Sequence, residues 1–248
     1  VESIGVMYYA ALVPCVLSAL IANVISGLFG VASTSFTLAV IPDLSAISLL
    51  QTIGLGIVFG ALASLFCRAM HVGGTLYKKI ENPYLRIVVG GCIVVLLSLL
   101  TRSGEYNGAG MSVISAALAG HAVPWAFALK IVFTVLTLGA GFKGGEIVPC
   151  FFVGATCGCV VAPLLGMDAG FGAALGLIAV FCGVTNSPMT SILLGYELFG
   201  GHGLALLAMC AAVSYLLSGY SGLYHEQKII YSKTSPVFIG RKGGEEKQ

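Results

Sequence analysis

The sequence contains very little charge. Only 9% of its 248 residues are Asp, Glu, Lys or Arg, whereas an ordinary soluble domain contains about 25%. Water solvates a protein surface that carries many more charged side chains than this. The composition therefore excludes a soluble enzyme and a soluble nucleic-acid-binding protein. The net charge of +2 is also too small to attract a polyanion.

Histidine is scarce, and cysteine shows no pattern of metal ligands. Four histidines are scattered along the chain: His71, His121, His202 and His225. The eight cysteines lie in apolar stretches, where a free thiol behaves as a small hydrophobic group. Cys157 and Cys159 have the spacing of a metal-binding pair, but no histidine or carboxylate accompanies them. Neither a paired-aspartate nor a Ser/Lys arrangement occurs. We expect no metal, no cofactor and no enzyme.

Apolar residues and glycine are abundant. The chain is 58% hydrophobic and contains 34 glycines, about twice the usual share. High glycine content together with high hydrophobicity is typical of polytopic membrane proteins, whose helices pack closely or are interrupted. These counts predict an all-α integral membrane protein of the cell membrane, surrounded by lipid.

Charged residues and glycines divide the chain into about ten predicted helices. Some of the charge-free runs reach the roughly 20 residues that span a bilayer, whereas the shorter runs suggest buried or re-entrant helices. Interrupted helices are tolerated in a membrane where the freed backbone lines a cavity or is buried in protein. The predicted helices cover residues 8–29, 48–77, 83–100, 110–119, 125–138, 148–165, 171–184, 188–199, 204–217 and 223–231.

The segment most informative about function covers residues 139–158 and has the sequence GAGFKGGEIVPCFFVGATCG. Pro149 is tolerated in the first turn of a helix, so we expect a helix to begin near 146–148. The start of a helix offers unpaired N–H groups and about half a positive charge. Gly144 and Gly145 leave that backbone accessible, which favours an anion-binding site. The alternative is a glycine hinge that begins a spanning helix.

Glu146 lies within this apolar surrounding. An ionisable residue in such a place is costly and by default indicates function. Burial would raise its pKa, which would suit a proton carrier. The alternative is a carboxylate that is stabilised at the helix start by the helix dipole and by Lys143.

Four segments resemble the second half of the CLC chloride channels and proton-coupled anion transporters. GFKGGEIVPCFFVGATCG is similar to the family's helix that begins with G-x-F-x-P. GVTNSPMTSILLGYELFGG resembles a family segment through Pro188, Thr190 and Glu197. SGLYHEQKIIY resembles the last membrane helix, whose tyrosine would be Tyr224, and NGAGMSVISAALAG resembles the short helix before the anion motif.

The resemblance implies a transmembrane transporter or channel for a small inorganic anion. Main-chain amides of Gly145, Glu146, Ile147 and Val148 and the Tyr224 hydroxyl would contact the anion. Ile147 stands where the family motif has an aromatic residue. The glutamate in G-G-E resembles the fluoride/proton antiporter branch, so chloride, fluoride and protons are all candidate substrates.

The resemblance also implies that part of the machinery is supplied elsewhere. CLC proteins contain two inverted repeats, and the first carries G-S-G-I-P and G-R-E-G-P, neither of which occurs here. Residues 1–224 would form the second, C-terminal repeat and act with a missing N-terminal half. Residues 225–248 would form a short basic tail, which the positive-inside rule places in the cytoplasm.

Two further expectations follow from the family. Glu2 falls where some exchangers keep an inner proton-transfer glutamate. CLC proteins work as homodimers, which would place an interface on apolar helices near 12–29 and 193–217. Three alternatives to a CLC-type transporter remain: a different broken-helix transporter of another anion, a non-transporting half-length membrane subunit, and an intramembrane enzyme, which the scattered histidines disfavour.

Overall fold

The computed structural model describes residues 9–31, 34–224, 227–235 and 238–242. These residues form nine α-helices and one two-stranded antiparallel sheet. The helices are α1 Tyr9–Leu28, α2 Ala46–Lys78, α3 Pro83–Thr101, α4 Met111–Leu118, α5 Ala126–Gly139, α6 Ile147–Val161, α7 Ala169–Thr185, α8 Pro188–Phe199 and α9 Leu204–Leu217, and the strands are β1 Lys228–Tyr231 and β2 Phe238–Lys242.

Four helices are long and apolar enough to cross a bilayer: α1, α2, α3, and α6 together with the 3-10 turn that follows it. The apolar helices α5, α7 and α9 are shorter, at 14, 17 and 14 residues. The predicted mixture of long and short membrane helices is therefore confirmed. No residue of α1 is buried, and the 18-residue membrane window of α3 is only 6% buried.

The core forms around α7, in which nearly every residue is buried. Glycines allow its backbone to touch that of α6. A Cβ atom on Gly154 would lie 2.2 Å from the carbonyl oxygen of Gly176, and one on Gly158 would lie 2.0 Å from that of Gly172. Small residues at such crossings allow membrane helices to pack at backbone distance. This packing fixes α6, which carries the predicted anion motif.

The ends of α7 are defined by polar side chains. At its start, the Asp168 carboxylate accepts a hydrogen bond of 2.9 Å from the backbone N–H of Phe171. At its end, Asn186 adopts the left-handed conformation with φ of 55°, which asparagine tolerates better than most residues. Ser187 then precedes Pro188, the first residue of α8. The predicted joint at 185–188 is confirmed.

Two predicted helices need correction. The helix expected at 148–165 is α from Ile147 to Val161 and continues as a 3-10 turn over Ala162–Leu165, because Pro163 lacks the N–H that an α-helix would use. The helix expected at 223–231 is wrong, since Lys228–Tyr231 is strand β1 and pairs with β2. Ile229, Ile230 and Tyr231 are residue types that favour strands.

All eight cysteines carry free thiols. Six of them are buried, including Cys157 and Cys159, which lie within α6. Their burial agrees with the expectation that they pack as small hydrophobic groups. Cys15 and Cys92 are exposed on α1 and α3, the two helices with little buried surface.

Candidate functional site

Helix α6 begins at Ile147, so the predicted helix start at 146–148 is confirmed. Glu146 is the N-cap, with φ of −94° and ψ of −20°, and no side chain caps the first amides of this helix. Pro149 is buried in the first turn. The backbone N–H groups at the start of α6 are therefore not occupied by a capping side chain, and they carry the partial positive charge of the helix end.

The glycine-rich loop before α6 leaves this helix start accessible. Helix α5 ends at Gly139, and Gly141 adopts φ of +101°, which favours glycine. Gly144 and Gly145 are exposed, and a Cβ atom on Gly145 would meet nothing within 4 Å. A ligand thus has room to approach the backbone directly before Glu146.

A cavity of about 510 Å³ opens next to this loop. Its walls include Gly144, Gly145, Val148 and Pro149 from the predicted site. Lys143 of the same loop also lines the cavity, and α5 contributes Lys130, Thr134 and Thr137. The hydroxyls of Thr134 and Thr137 donate to the carbonyl oxygens of Lys130 and Phe133 within α5, so the feature of this cavity that suits an anion is the positive charge of its two lysines.

Lys130 was not singled out from the sequence. Its side chain is only 2% exposed. Its ammonium donates hydrogen bonds to the carbonyl oxygens of Tyr106 at 3.1 Å and Gly108 at 2.6 Å, and it lies 4.9 Å from the centre of the Phe152 ring. The available signal was a single lysine within an apolar helix, which is costly in a membrane and marks a functional or structural position.

Tyr224 follows α9 and is 38% exposed. The segment around it is held to the end of α7, since the N–H of Leu223 donates to the carbonyl oxygen of Val184 at 3.1 Å. Burial raises the pKa of Tyr224, and the carboxylate of Glu146 raises it further. Tyr224 therefore stays a protonated donor at neutral pH, and it lies within the electrostatic reach of Glu146.

Glu146 is half-buried at the start of α6. Its backbone carbonyl oxygen accepts a hydrogen bond of 3.0 Å from the thiol of Cys150, one turn further along the helix.

Other predicted residues lie outside this group. Pro188 begins α8 at a joint and does not border the cavity. Ile147, in the position of the motif aromatic, is exposed at the first position of α6. Glu2 lies outside the described residues. Within the described parts of the chain, no group of three or more His, Cys, Asp or Glu side chains has the arrangement of a metal site.

Comparison with known proteins gives consistent relationships. A family model described as "Voltage gated chloride channel" matches residues 2–219. A "Chloride/fluoride channel protein" of Pseudomonas syringae pv. tomato is 37% identical over 240 residues, which are 94% of this chain and 53% of that protein. A "Voltage-gated ClC-type chloride channel ClcB" of Salmonella dublin is 30% identical over 168 residues, covering 65% of this chain and 40% of that protein.

A solved structure is similar over most of the chain. The crystal structure of a CLC-type fluoride/proton antiporter has a TM-score of 0.86 and 32% identity, covering 91% of this chain and 58% of that one. This chain therefore spans about half the length of the proteins it resembles. The family model covers well over half of the chain, and the fold agrees. The chain belongs to the voltage-gated chloride channel (CLC) family.

Proposed function

We propose that the protein transports a small inorganic anion, chloride or fluoride, across the cell membrane. The observation that carries this proposal is the uncapped start of α6, which borders a cavity. The charge of Glu146, at that start, also raises the pKa of Tyr224. Backbone amides and a hydroxyl hold an anion by neutral donors and a partial charge. Such a site replaces hydration without binding the ion so tightly that it cannot leave.

Each predicted donor has a stated role in this proposal. The amides of Gly145, Glu146, Ile147 and Val148 surround the anion from the side of α6. The hydroxyl of Tyr224 donates to it from the cytoplasmic side. Lys143 and Lys130 border the cavity and raise the local concentration of anions by their charge. Gly144, Pro149 and Pro188 shape the backbone and make no contact with the ion.

Glu146 is proposed as a proton carrier next to the anion. Its carboxylate is half-buried and lies within the electrostatic reach of Tyr224. Protonation removes the negative charge beside the anion site, so the affinity of the site for an anion depends on the protonation state of Glu146. Glu2 is proposed as a second proton-transfer group towards the cytoplasm. With both groups active, the protein would exchange protons for anions, and without them it would be a passive channel.

Fluoride is the first substrate to test. The relative from Pseudomonas syringae carries fluoride in its name, and the similar crystal structure is that of a fluoride/proton antiporter. The G-G-E sequence ending at Glu146 also resembles that branch. Chloride is the second substrate, because the other named relatives are chloride channels.

We also propose the assembly in which the site works. The relatives are about twice as long as this chain, which supports a second repeat that completes the pathway. Helix α1 has no buried residue, and Leu193 in α8 is 66% exposed. These faces suit contacts with lipid, with that repeat and with a second subunit in a homodimer. The basic residues near the end of the chain favour a cytoplasmic tail.

The decisive experiment is anion efflux from liposomes that contain the intact protein. Separate preparations are loaded with fluoride and with chloride, and the proton movement is recorded beside the anion. Liposomes without protein are the control. Transport of either anion supports the proposal, and movement of protons against an anion gradient identifies an antiporter. If neither anion moves, the proposal fails in favour of a non-transporting subunit or a carrier of organic anions, which carboxylates would stabilise against thermal unfolding.

A further inference from the structure

Lys233 lies in the tail, between the two strands, yet its side chain is not solvated like that of a surface lysine. Its ammonium donates hydrogen bonds to the carbonyl oxygen of Tyr215 at 2.9 Å and to the hydroxyl of Ser218 at 3.1 Å. It also donates to the Oδ1 atom of Asn186. The same ammonium lies 4.1 Å from the centre of the Tyr215 ring.

These partners are the ends of two core helices. Tyr215 belongs to the last turn of α9, and Asn186 is the C-cap of α7. A cation is stabilised at the C-terminal end of a helix by the carbonyl groups that point towards it. Lys233 therefore joins the ends of α7 and α9, and it brings the tail back onto the core.

The Lys233 contact orients the amide of Asn186. Because its Oδ1 atom accepts from Lys233, the Nδ2 group points the other way. This group donates to the carbonyl oxygen of Ser221 at 3.1 Å and to Oε1 of Gln227 at 3.2 Å. Gln227 in turn donates from Nε2 to the carbonyl oxygen of Thr185 at 2.9 Å. Asn186, Gln227 and Lys233 thus form one connected group, the Asn186 network.

The Asn186 network holds the chain on both sides of Tyr224. Ser221 precedes the tyrosine and Gln227 follows it. Backbone bonds complete the restraint, since the N–H of Gln227 donates to the carbonyl oxygen of Tyr224 at 3.1 Å. The position of the phenol therefore depends on groups that do not themselves reach the proposed anion.

We propose that Lys233 is a positioning residue for Tyr224: it orients the Asn186 amide, which holds Ser221 and Gln227 on either side of Tyr224 and with them the phenol. This inference rests on the proposed function, because the Tyr224 hydroxyl is taken to contact the anion. Nothing in the family motif or in the anion site assigns a role to Lys233.

A buried lysine is energetically unfavourable if its only role is to attach the tail to the core. Burying an ammonium is unfavourable unless several acceptors surround it, and an apolar side chain would fill the same space. Asn186 is the acceptor whose orientation matters, because a reversed amide would place its Oδ1 atom against the carbonyl oxygen of Ser221. Lys233 prevents that reversal, which an apolar residue cannot do.

A competing explanation is direct action of the Lys233 charge on the pathway. The Lys233 side chain is partly buried, where water and salt screen a charge less than at the surface, so a long-range effect has a physical route. The two explanations differ in whether the effect of Lys233 requires the Tyr224 hydroxyl.

The test uses the intact protein in liposomes and measures anion KM and maximal flux. Lys233→Met is expected to raise KM about five- to tenfold with little change in maximal flux, and Lys233→Arg, which keeps the donors and the charge, recovers most of the affinity. In a Tyr224→Phe background, Lys233→Met adds less than a twofold change. Lys79→Met, at the exposed lysine directly after α2, is the matched control and leaves KM unchanged.

A second variant tests the proposal if Lys233→Met does not fold. Asn186→Gly keeps the left-handed backbone at φ of 55° and removes the amide, so it also raises KM about fivefold. An unchanged KM in a folded Lys233→Met protein or in Asn186→Gly overturns the proposal. A full Lys233 effect that persists beside Tyr224→Phe overturns it in favour of direct action. If Tyr224→Phe alone leaves KM unchanged, the role of Tyr224 in the proposed function fails instead.

Discussion

The carboxylate of Glu146 acts electrostatically on the phenol of Tyr224. Burial is the main cause that raises the pKa of Tyr224, and the charge of Glu146 is the second. The two residues come from distant parts of the chain, the N-cap of α6 and the segment after α9. The charge of the acid thus acts on a phenol that is distant in sequence. In the proposed function, this pairing combines a neutral donor for an anion with a titratable group.

Replacing Tyr224 by phenylalanine removes the proposed donor and keeps the ring. A hydrogen bond to a charged group contributes about 1.5–3 kcal/mol, so we expect roughly a tenfold or greater increase in anion KM. The measurement is concentration-dependent flux in liposomes. Tyr84→Phe, at an exposed tyrosine in the first turn of α3, is the control. Equal affinities of the Tyr224 variant and the unmodified protein would contradict the assignment.

Replacing Glu146 by glutamine keeps the shape of the side chain and removes its ability to carry a proton. We expect anion transport to continue while proton movement falls at least tenfold, since an amide does not titrate in this range. Simultaneous recordings of pH and anion concentration provide the measurement. Glu81→Gln, at an exposed residue before α3, should behave normally. Unchanged proton movement in the Glu146 variant would assign the proton to another group.

Replacing Gly154 by alanine forces α6 and α7 apart. The new Cβ atom would lie 2.2 Å from the carbonyl oxygen of Gly176, and overpacking of this kind costs about 1–3 kcal/mol. We expect a clear decrease in Tm of the detergent-solubilised protein. Gly74→Ala in α2 is the matched control, because its Cβ atom would meet nothing within 4 Å. A Gly154 variant as stable as this control would show that the helix contact is loose.

Replacing Lys130 by methionine leaves the carbonyl oxygens of Tyr106 and Gly108 without their donor. Losing hydrogen bonds from a charged group should lower the free energy of unfolding by about 1–3 kcal/mol. Thermal unfolding is the measurement, with Lys79→Met as the exposed counterpart. Should the two variants unfold at the same temperature, the contacts of Lys130 contribute nothing to stability.

The pH dependence of stability has a defined contribution from Lys233. Burial lowers the pKa of Lys233 from 10.5 to about 8. Between these values the unfolded lysine holds a proton that the folded one has lost, so the free energy of unfolding rises with pH in this window. Below about pH 8 the full cost of burying the charge remains.

Comparison with Lys233→Met isolates this contribution. We expect the Tm of the unmodified protein, relative to that of the variant, to increase by roughly 4–8 °C between pH 8 and 10, which corresponds to about 2 kcal/mol. A difference in Tm that stays constant over this range, or that decreases, would show that the folded lysine keeps its proton.

Most helices could be predicted from the sequence because their signals are local. Charge-free runs locate the membrane helices, and Pro149 with the preceding glycines locates the start of α6. Pro188 likewise marks the start of α8. These signals depend on backbone chemistry within a few residues, and the structure places each helix start within about two residues of the prediction.

The structural features that the sequence does not predict depend on contacts between segments that are distant along the chain. The hydrogen bonds of Lys130 require the loop that contains Tyr106 to lie against α5, which no local pattern specifies. The division of the chain by charged residues and glycines predicts a helix at 223–231, whereas Ile229 and Ile230 favour the strand that the structure has there. That hairpin brings Lys233 onto the core, which a run of basic residues, typical of a solvated tail, does not predict.

The direct contact between the backbones of α6 and α7 restricts how the protein can move. Two main chains in contact have no side-chain layer that could shear or compress as one helix slides along the other. Helix α6 is therefore held firmly against α7 at the centre of the molecule. Sliding of α6 against α7 would be a collective helix motion, which takes microseconds or longer, whereas rotation of the side chains around α6 takes picoseconds to nanoseconds.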